Sequence, residues 1–264
     1  MDILLTNDDG IKSEGLHALK KSLSKLGKVI IVAPDRERSA SGHSLTLTHP
    51  IRVEKIDEDI FTTDGTPADC INISILGILP NRPNLIISGI NPSPNLGEDV
   101  TYSGTVSAAM EGTLLNIPSF SISMGDYTNI KFDFAAEFAC KIANLILEQE
   151  LPPHTFLNIN IPNLPEEKIK GVTITHLGKR TYHEELIKRI DPRGKVYYWI
   201  DSKSVIEEDG EEGTDIKAIK EDKISITPLH LDMTNCSTPS LNIYPPFLIL
   251  DFRFSILDFC NFLG

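Results

Sequence analysis

The sequence is poor in cysteine, in aromatic residues and in positive charge. Its four cysteines, at 70, 140, 236 and 260, are scattered over 264 residues without a C-x-x-C spacing. That distribution speaks against a disulfide framework and against a cysteine-ligated zinc site. Basic residues number 25 against 37 acidic ones, a formal net charge of −12. A chain of that sign does not grip nucleic-acid polymers or anionic membranes by bulk electrostatics. No apolar run reaches the ~18 residues that span a bilayer. Met1-Asp2-Ile3 runs straight into an apolar strand with no basic n-region. Neither a membrane helix nor a secretory leader is expected, and the chain reads as a cytoplasmic protein.

What is present suffices for a sizeable core. Hydrophobic residues make up 41% of the chain, which excludes wholesale disorder. At roughly 150 residues per domain the length fits one large domain, or one domain with an appendage. The charge is concentrated: Glu207 to Asp222 hold eight acidic residues and two lysines, half of the net charge. That segment reads as a solvated loop.

The first half alternates short apolar runs with amphipathic stretches. Ile3-Leu4-Leu5, Val29 to Val32, Leu85-Ile86-Ile87 and Phe120 to Met124 read as buried strands;. Helices are expected over Ser13 to Leu26, Thr66 to Leu79, Gly104 to Asn116 and Phe132 to Glu148;. Thr66-Pro67-Ala68-Asp69 supplies a hydroxyl cap, a proline at the first helical position and an acid in the first turn;. This strand-helix repetition predicts an α/β, doubly wound, mostly parallel sheet with right-handed crossovers. Ligands of such sheets bind beyond the carboxyl ends of the strands, here Thr6 to Gly15, Ala33 to Leu45 and Ser88 to Thr105.

The second half reads as strands over Phe156 to Ile161 and Val172 to Leu177. An extended hairpin from Tyr182 to Ile200 is expected around the turn Asp191-Pro192-Arg193-Gly194;. Its aromatic ends, Tyr182, Tyr197, Tyr198 and Trp199, suit packing against another subunit, since an isolated hairpin is marginal;. A boundary near 175 separates a catalytic core, 1–175, from an arm and oligomerisation segment, 176–264, whose tail, 227–264, is divergent. Five of the eleven phenylalanines lie between Phe247 and Phe262, and no chemical role follows from them.

Three segments carry chemistry. Asn7-Asp8-Asp9-Gly10 follows the first strand, and two adjacent carboxylates repel one another unless a cation neutralises them;. Hard oxygen ligands suit Mg²⁺, Mn²⁺ or Ca²⁺; a helix-capping turn is the alternative reading. The loop from Ala33 to Ser44 is polar, hydroxyl-rich and long for its position;. Its Arg36, Arg38 and His43 face a phosphate or solvent, and His43 reads equally as a general acid or as a satisfied loop histidine. An ion pair of Arg36 with Asp35 or Glu37 fits equally. In the third segment, Asn91 can offer an amide oxygen, and Tyr102-Ser103-Gly104-Thr105 leads into a helix. Free N–H groups and the helix dipole favour an anion there; an ordinary cap is the alternative. Together they suit metal-assisted hydrolysis of a phosphoester.

These residues resemble the SurE survival-protein phosphatases, a family of 5′/3′-nucleotidases. The similar stretches are Ile3 to Gly10, Val32 to Thr46, Asp64 to Cys70, Ser88 to Gly112 and Glu212 to Leu231. The resemblance implies a Rossmann-like domain, a protruding hairpin and a swapped C-terminal segment that build a homodimer or homotetramer. It implies one divalent metal ion per subunit, Mg²⁺ or Mn²⁺, on Asp8, Asp9, Ser39 and Asn91. It places the phosphate on Asn95, Ser103, Gly104 and Thr105, with Gly10 and His43 beside it. Asp8 and Asp9 are the expected catalytic pair, and Asp9 is the better candidate to orient or deprotonate water. The implied substrate is a nucleoside monophosphate. Two departures stand out: Ser93 occupies a position where the family has glycine, and the residues after Asn235 match no family tail. The first sustains a competing reading, a nucleotide-binding regulatory oligomer without turnover. An aspartyl-phosphate phosphatase is disfavoured, because that chemistry uses two aspartates separated by one residue.

Overall fold

A computed structural model describes residues 1–125, 129–208 and 210–234. Met1–Leu231 forms one compact unit. The expected swapped segment and the phenylalanine-rich tail lie outside the described residues.

Nine strands form one sheet in the order β3-β4-β2-β1-β5-β6-β7-β11-β8. In chain order they are β1 (Asp2–Thr6), β2 (Lys28–Pro34), β3 (Val53–Asp57), β4 (Ile60–Thr63), β5 (Leu85–Asn91), β6 (Ser119–Met124), β7 (Thr155–Ile161), β8 (Val172–Ile174) and β11 (Ile224–His230). The run from β4 to β7 is parallel throughout. β3 and β11 join antiparallel to β4 and β7. The expected doubly wound sheet is therefore the fold. The sequence did not single out β3, β4 or β11; β3 is exposed along its whole length, so it lacks the alternation that marks a half-buried strand.

Alternation along β1 divides the core. Ile3 and Leu5 join the layer under α1 (Glu14–Leu23) and α4 (Asp133–Glu148); Leu4 joins the other layer, which α2 (Pro67–Ile73) and α3 (Gly104–Leu114) cover. α1 stops at Leu23, short of the expected Leu26, where the Ser24 hydroxyl bonds back to Lys20 O. α2 begins as expected, with Thr66 and Asp69 capping one another. It passes into a π turn over Ser74–Ile78.

β1 is where the winding reverses: β2 lies on one side of it and β5 on the other. The crevice of an open α/β sheet falls at such a switch point. Asp8 and Asn91 stand at its two sides, since Thr6 pairs with Ser88 at the carboxyl ends of β1 and β5.

The expected hairpin is present as β9 (Arg180–Ile190) and β10 (Val196–Glu208). The acidic segment is not the plain solvated loop its charge suggested. It holds α5 (Asp215–Lys220), capped by Thr214, and Asp215 is fully buried. That carboxylate survives burial because the backbone N–H groups of Gly97, Gly178 and Ile216 all donate to it;. After the hairpin the chain returns to the main sheet, where β11 pairs with β7.

Leu5 is wholly buried in the layer beneath α1 and α4. Leu5→Ala should cost about 2–5 kcal/mol and lower the thermal midpoint by about 5–15 °C. A scanning-calorimetry shift under 2 °C, on the order of the noise for such a change, would contradict this packing.

Candidate active site

Asp8 and Asp9 lie in the turn that leaves β1. Asn7 builds it: its side chain accepts from Gly10 N and donates to Gly10 O. Gly10 has φ +93°, and a Cβ there would lie 3.0 Å from the Arg36 backbone, so the position favours glycine;. Asp8 is almost fully buried, and Thr105 donates its hydroxyl to Asp8 Oδ1. Burial pushes the Asp8 carboxyl up, with the Thr105 hydroxyl pulling the other way. Burial pushes Asp9 up to about 7, helped by the charges of Asp8 and Glu37. Asp9 Oδ2 is buried and has no hydrogen-bond partner.

Gly104 opens α3 directly against Asp8. A Cβ on Gly104 would lie 2.8 Å from Asp8 Cβ and 2.7 Å from Ser41 Oγ. Only glycine allows the helix start to stand so close. Ser103 caps the helix by accepting from Val106 N. The capping reading of Ser103 thus holds as a fact of structure, while the N–H groups of Gly104 and Thr105 belong to the first turn, which has no intrahelical acceptors.

The hydroxyl loop is laid across the crevice by its backbone: Arg38 N donates to Asp8 O, and Gly42 N to Tyr102 O. Ser39 is exposed, and its hydroxyl donates to Glu37. Glu37 in turn is close enough to raise both aspartates. Ser41 Oγ is buried without a partner beside Asp8 and Gly104. The expected cations turn away: Arg36 faces Asp35 at 3.8 Å, and Arg38 bonds to Asp64 O and faces Asp35. His43 bonds to Glu111, which also accepts from Asn72 and whose carboxyl His43 holds below its ordinary value. Glu111 sits two turns into α3, about 10 Å beyond Gly104. His43 therefore anchors the loop to α3.

Asn91, at the end of β5, donates both amide hydrogens to Ser93, to its O at 2.7 Å and its Oγ at 3.0 Å. The side-chain oxygen is the atom left over. Ser93 lies outside the left-handed region, which among described non-glycine residues holds Ala40, Asn116, Asn129, His154 and Asp222. The serine is accommodated and adds a contact that glycine lacks, which removes the motive for a site without turnover. Asn95 faces inward, donating to Ser123 Oγ and, through its backbone, to Asn160.

Sequence reasoning missed Glu37, Ser41, Glu111, Asn158 and Asn160. The alternation of Asn158 and Asn160 with apolar residues in β7 was the available signal. Both are fully buried and donate to Asn95 O.

The residues fit a divalent cation. Two desolvated carboxylates, one with an orphaned oxygen, stand beside uncommitted hydroxyl and amide oxygens, and burial of such a pair is tolerable only when neutralised;. Among the described residues no three or more His, Cys, Asp or Glu are grouped to hold a metal ion, so a cation here would also draw on hydroxyl or amide oxygens;.

An acidic crevice at a switch point, closed by a helix N-terminus, defines an α/β protein of the kind that handles anionic substrates with a cation's help. A family model described as Survival protein SurE matches residues 3–184. The chain is 50% identical over 238 residues to the 5′-nucleotidase SurE of Geotalea daltonii, covering 89% of this chain and 95% of that one. It is 51% identical over 237 residues to the 5′-nucleotidase SurE of Aquifex aeolicus, covering 88% and 93%. The crystal structure of the Aquifex aeolicus SurE protein is similar, with a TM-score of 0.79, 50% identity, and coverage of 89% of this chain and 95% of that one. The chain belongs to the SurE survival-protein family.

Stability should register the buried pair. Without a cation the folded chain holds a proton on Asp9 up to about pH 7, whereas the unfolded carboxyl releases it near 3.8. Below the lower value the group is neutral in both states. As pH rises through this window the folded state must give up the proton, so stability falls and then levels off. In excess EDTA, the thermal midpoint should drop between roughly pH 4 and pH 7 and level off above that;. Asp9→Asn should flatten the profile; superimposable profiles would show that burial of Asp9 carries no such penalty.

Proposed function

We propose that the chain is a divalent-metal-dependent phosphoric monoester hydrolase that releases phosphate from nucleoside 5′- and 3′-monophosphates. The observation that carries this reading is the Asp8–Asp9 pair facing the glycine-opened start of α3: an anion-binding helix end set against carboxylates that would repel the anion;. The 5′-nucleotidase relatives support the same reaction.

Asp8, Asp9, Ser39 and Asn91 are the residues that would hold one Mg²⁺ or Mn²⁺ per subunit. When bound, such an ion neutralises the pair, polarises a phosphoryl oxygen and acidifies water. The chain's own groups do the rest. The N–H groups at Gly104 and Thr105, with the helix dipole, receive phosphoryl oxygens. The second amide hydrogen of Asn95 and the Ser103 hydroxyl are available to the same oxygens. Thr105 fixes Asp8 as an acceptor. Asp9 Oδ2, unpartnered, takes the proton of the attacking water as the bond from phosphorus to the nucleoside oxygen breaks, and the departing oxygen takes up a proton to leave as the nucleoside hydroxyl;.

The hairpin supports self-association. By register Val196, Tyr198 and Ile200 share a face with Ile190 and Leu186. All are exposed, Ile200 at 86% and Ile190 at 66%. A two-stranded hairpin with such a face is marginal alone, and we place it against a second copy in a homodimer or homotetramer. No described helix is long and apolar enough to cross a membrane. The cytoplasm remains the proposed location.

Phosphate release from AMP should require added Mg²⁺ or Mn²⁺ and vanish in EDTA, and Asp8→Asn should lower kcat/KM on the order of 10³-fold, as for loss of a central charge-stabilising group. Full activity under chelation would overturn the mechanism. In light scattering, Leu186→Glu with Ile200→Glu should lower the mass of the assembly. An unchanged mass would remove the hairpin from the interface.

A further inference from the structure

Tyr102 immediately precedes the Ser103-Gly104-Thr105 helix start, yet no part of the chemistry described above uses its ring. The side chain is 68% exposed. Its backbone, by contrast, is fixed on both sides: Tyr102 N donates to Asp99 O, and Tyr102 O accepts from Gly42 N, each at 3.0 Å. The residue therefore joins the hydroxyl loop to α3 at the rim of the crevice. Among the described residues no aromatic ring or cation stacks upon it; the ring contacts are Phe134 with Phe138, His154 with His230, and Lys55 over Phe61. A large, rigidly mounted and unpartnered aromatic face, one residue from the groups that would receive a phosphoryl oxygen, suits a planar ring carried on the same substrate.

We propose that Tyr102 is the platform on which the base of the nucleoside monophosphate stacks, giving the site its preference for nucleotides over phosphate esters without a base. This rests on the nucleotidase reading. Stacking is tolerant of base identity, because every base has a π-face, so the platform accepts purine and pyrimidine nucleotides alike and leaves finer choice to other groups.

The test compares kcat/KM for AMP with kcat/KM for ribose 5-phosphate, which has the same phosphate and sugar but no base. The ratio should fall about 5- to 100-fold in Tyr102→Ala, as for loss of one base–aromatic stack. Tyr102→Phe and Tyr102→Trp should keep it, since they keep the ring. An unchanged ratio in Tyr102→Ala overturns the proposal, even if both substrates slow together. So does a loss in Tyr102→Phe equal to that in Tyr102→Ala, which would assign the effect to the hydroxyl. Calorimetric titration with adenosine separates the two layers of inference. Adenosine binding that depends on the Tyr102 ring, in a protein that hydrolyses no phosphoester, keeps the platform and removes the nucleotidase. Turnover of AMP with adenosine affinity equal in wild type and Tyr102→Ala keeps the nucleotidase and removes the platform.

Discussion

Two adjacent carboxylates held out of water at the end of β1 are the constraint around which this structure is arranged. Burial raises both, and the charge of each opposes ionisation of the other;. The fold answers Asp8 with the Thr105 hydroxyl and leaves Asp9 Oδ2 with nothing. Nearby cations do not fill the gap, since Arg36 and Arg38 are engaged with Asp35 and Asp64. The site is thereby set up for a small mobile cation and for the anion such a cation brings.

Keeping that arrangement rigid occupies much of the surrounding chain. The hydroxyl loop is tied at Asp8, Tyr102 and Glu111, and further along at Thr66 and Asp69. The loop after β5 is tied at Asn160 and Ser123, and Asp215 holds its far end through Gly97. Beneath it, Ser121, Ser123, Asn158, Asn160, Ser225 and Thr227 form a buried polar stripe on β6, β7 and β11. The opposite face of the same strands is apolar. Such a polar stripe is stable only because its members satisfy one another or the loop above;. The second half of the chain is thus a support for the crevice as well as an arm. Arg180, where β9 begins, pairs with Asp99 just ahead of α3.

Much of this was legible in the residues. The parallel strands appear as unbroken apolar runs, the start of α2 as Thr-Pro-x-Asp, and the hairpin as Asp-Pro-Arg-Gly between β-branched and aromatic arms. Exposed β3 had no alternation to show. Asp215 was hidden by its neighbours: within an acidic run it is indistinguishable from the solvated acids around it. Its burial depends on three N–H groups, two of them from distant parts of the chain. His43 was legible only as a polar residue of a long loop. Only the position of Glu111 on α3 shows that its ring also bonds to that helix.

The sequence by itself determined the doubly wound, mostly parallel architecture and the placement of Asp8, Asp9 and Asn91 at strand ends, because hydrophobic periodicity and local turn chemistry act over a few residues. Tertiary structure alone decided which oxygens are left without partners, that Ser93 supports Asn91, and that Gly104 must be glycine. Those facts depend on separations between atoms far apart in the chain, and only close packing sets them.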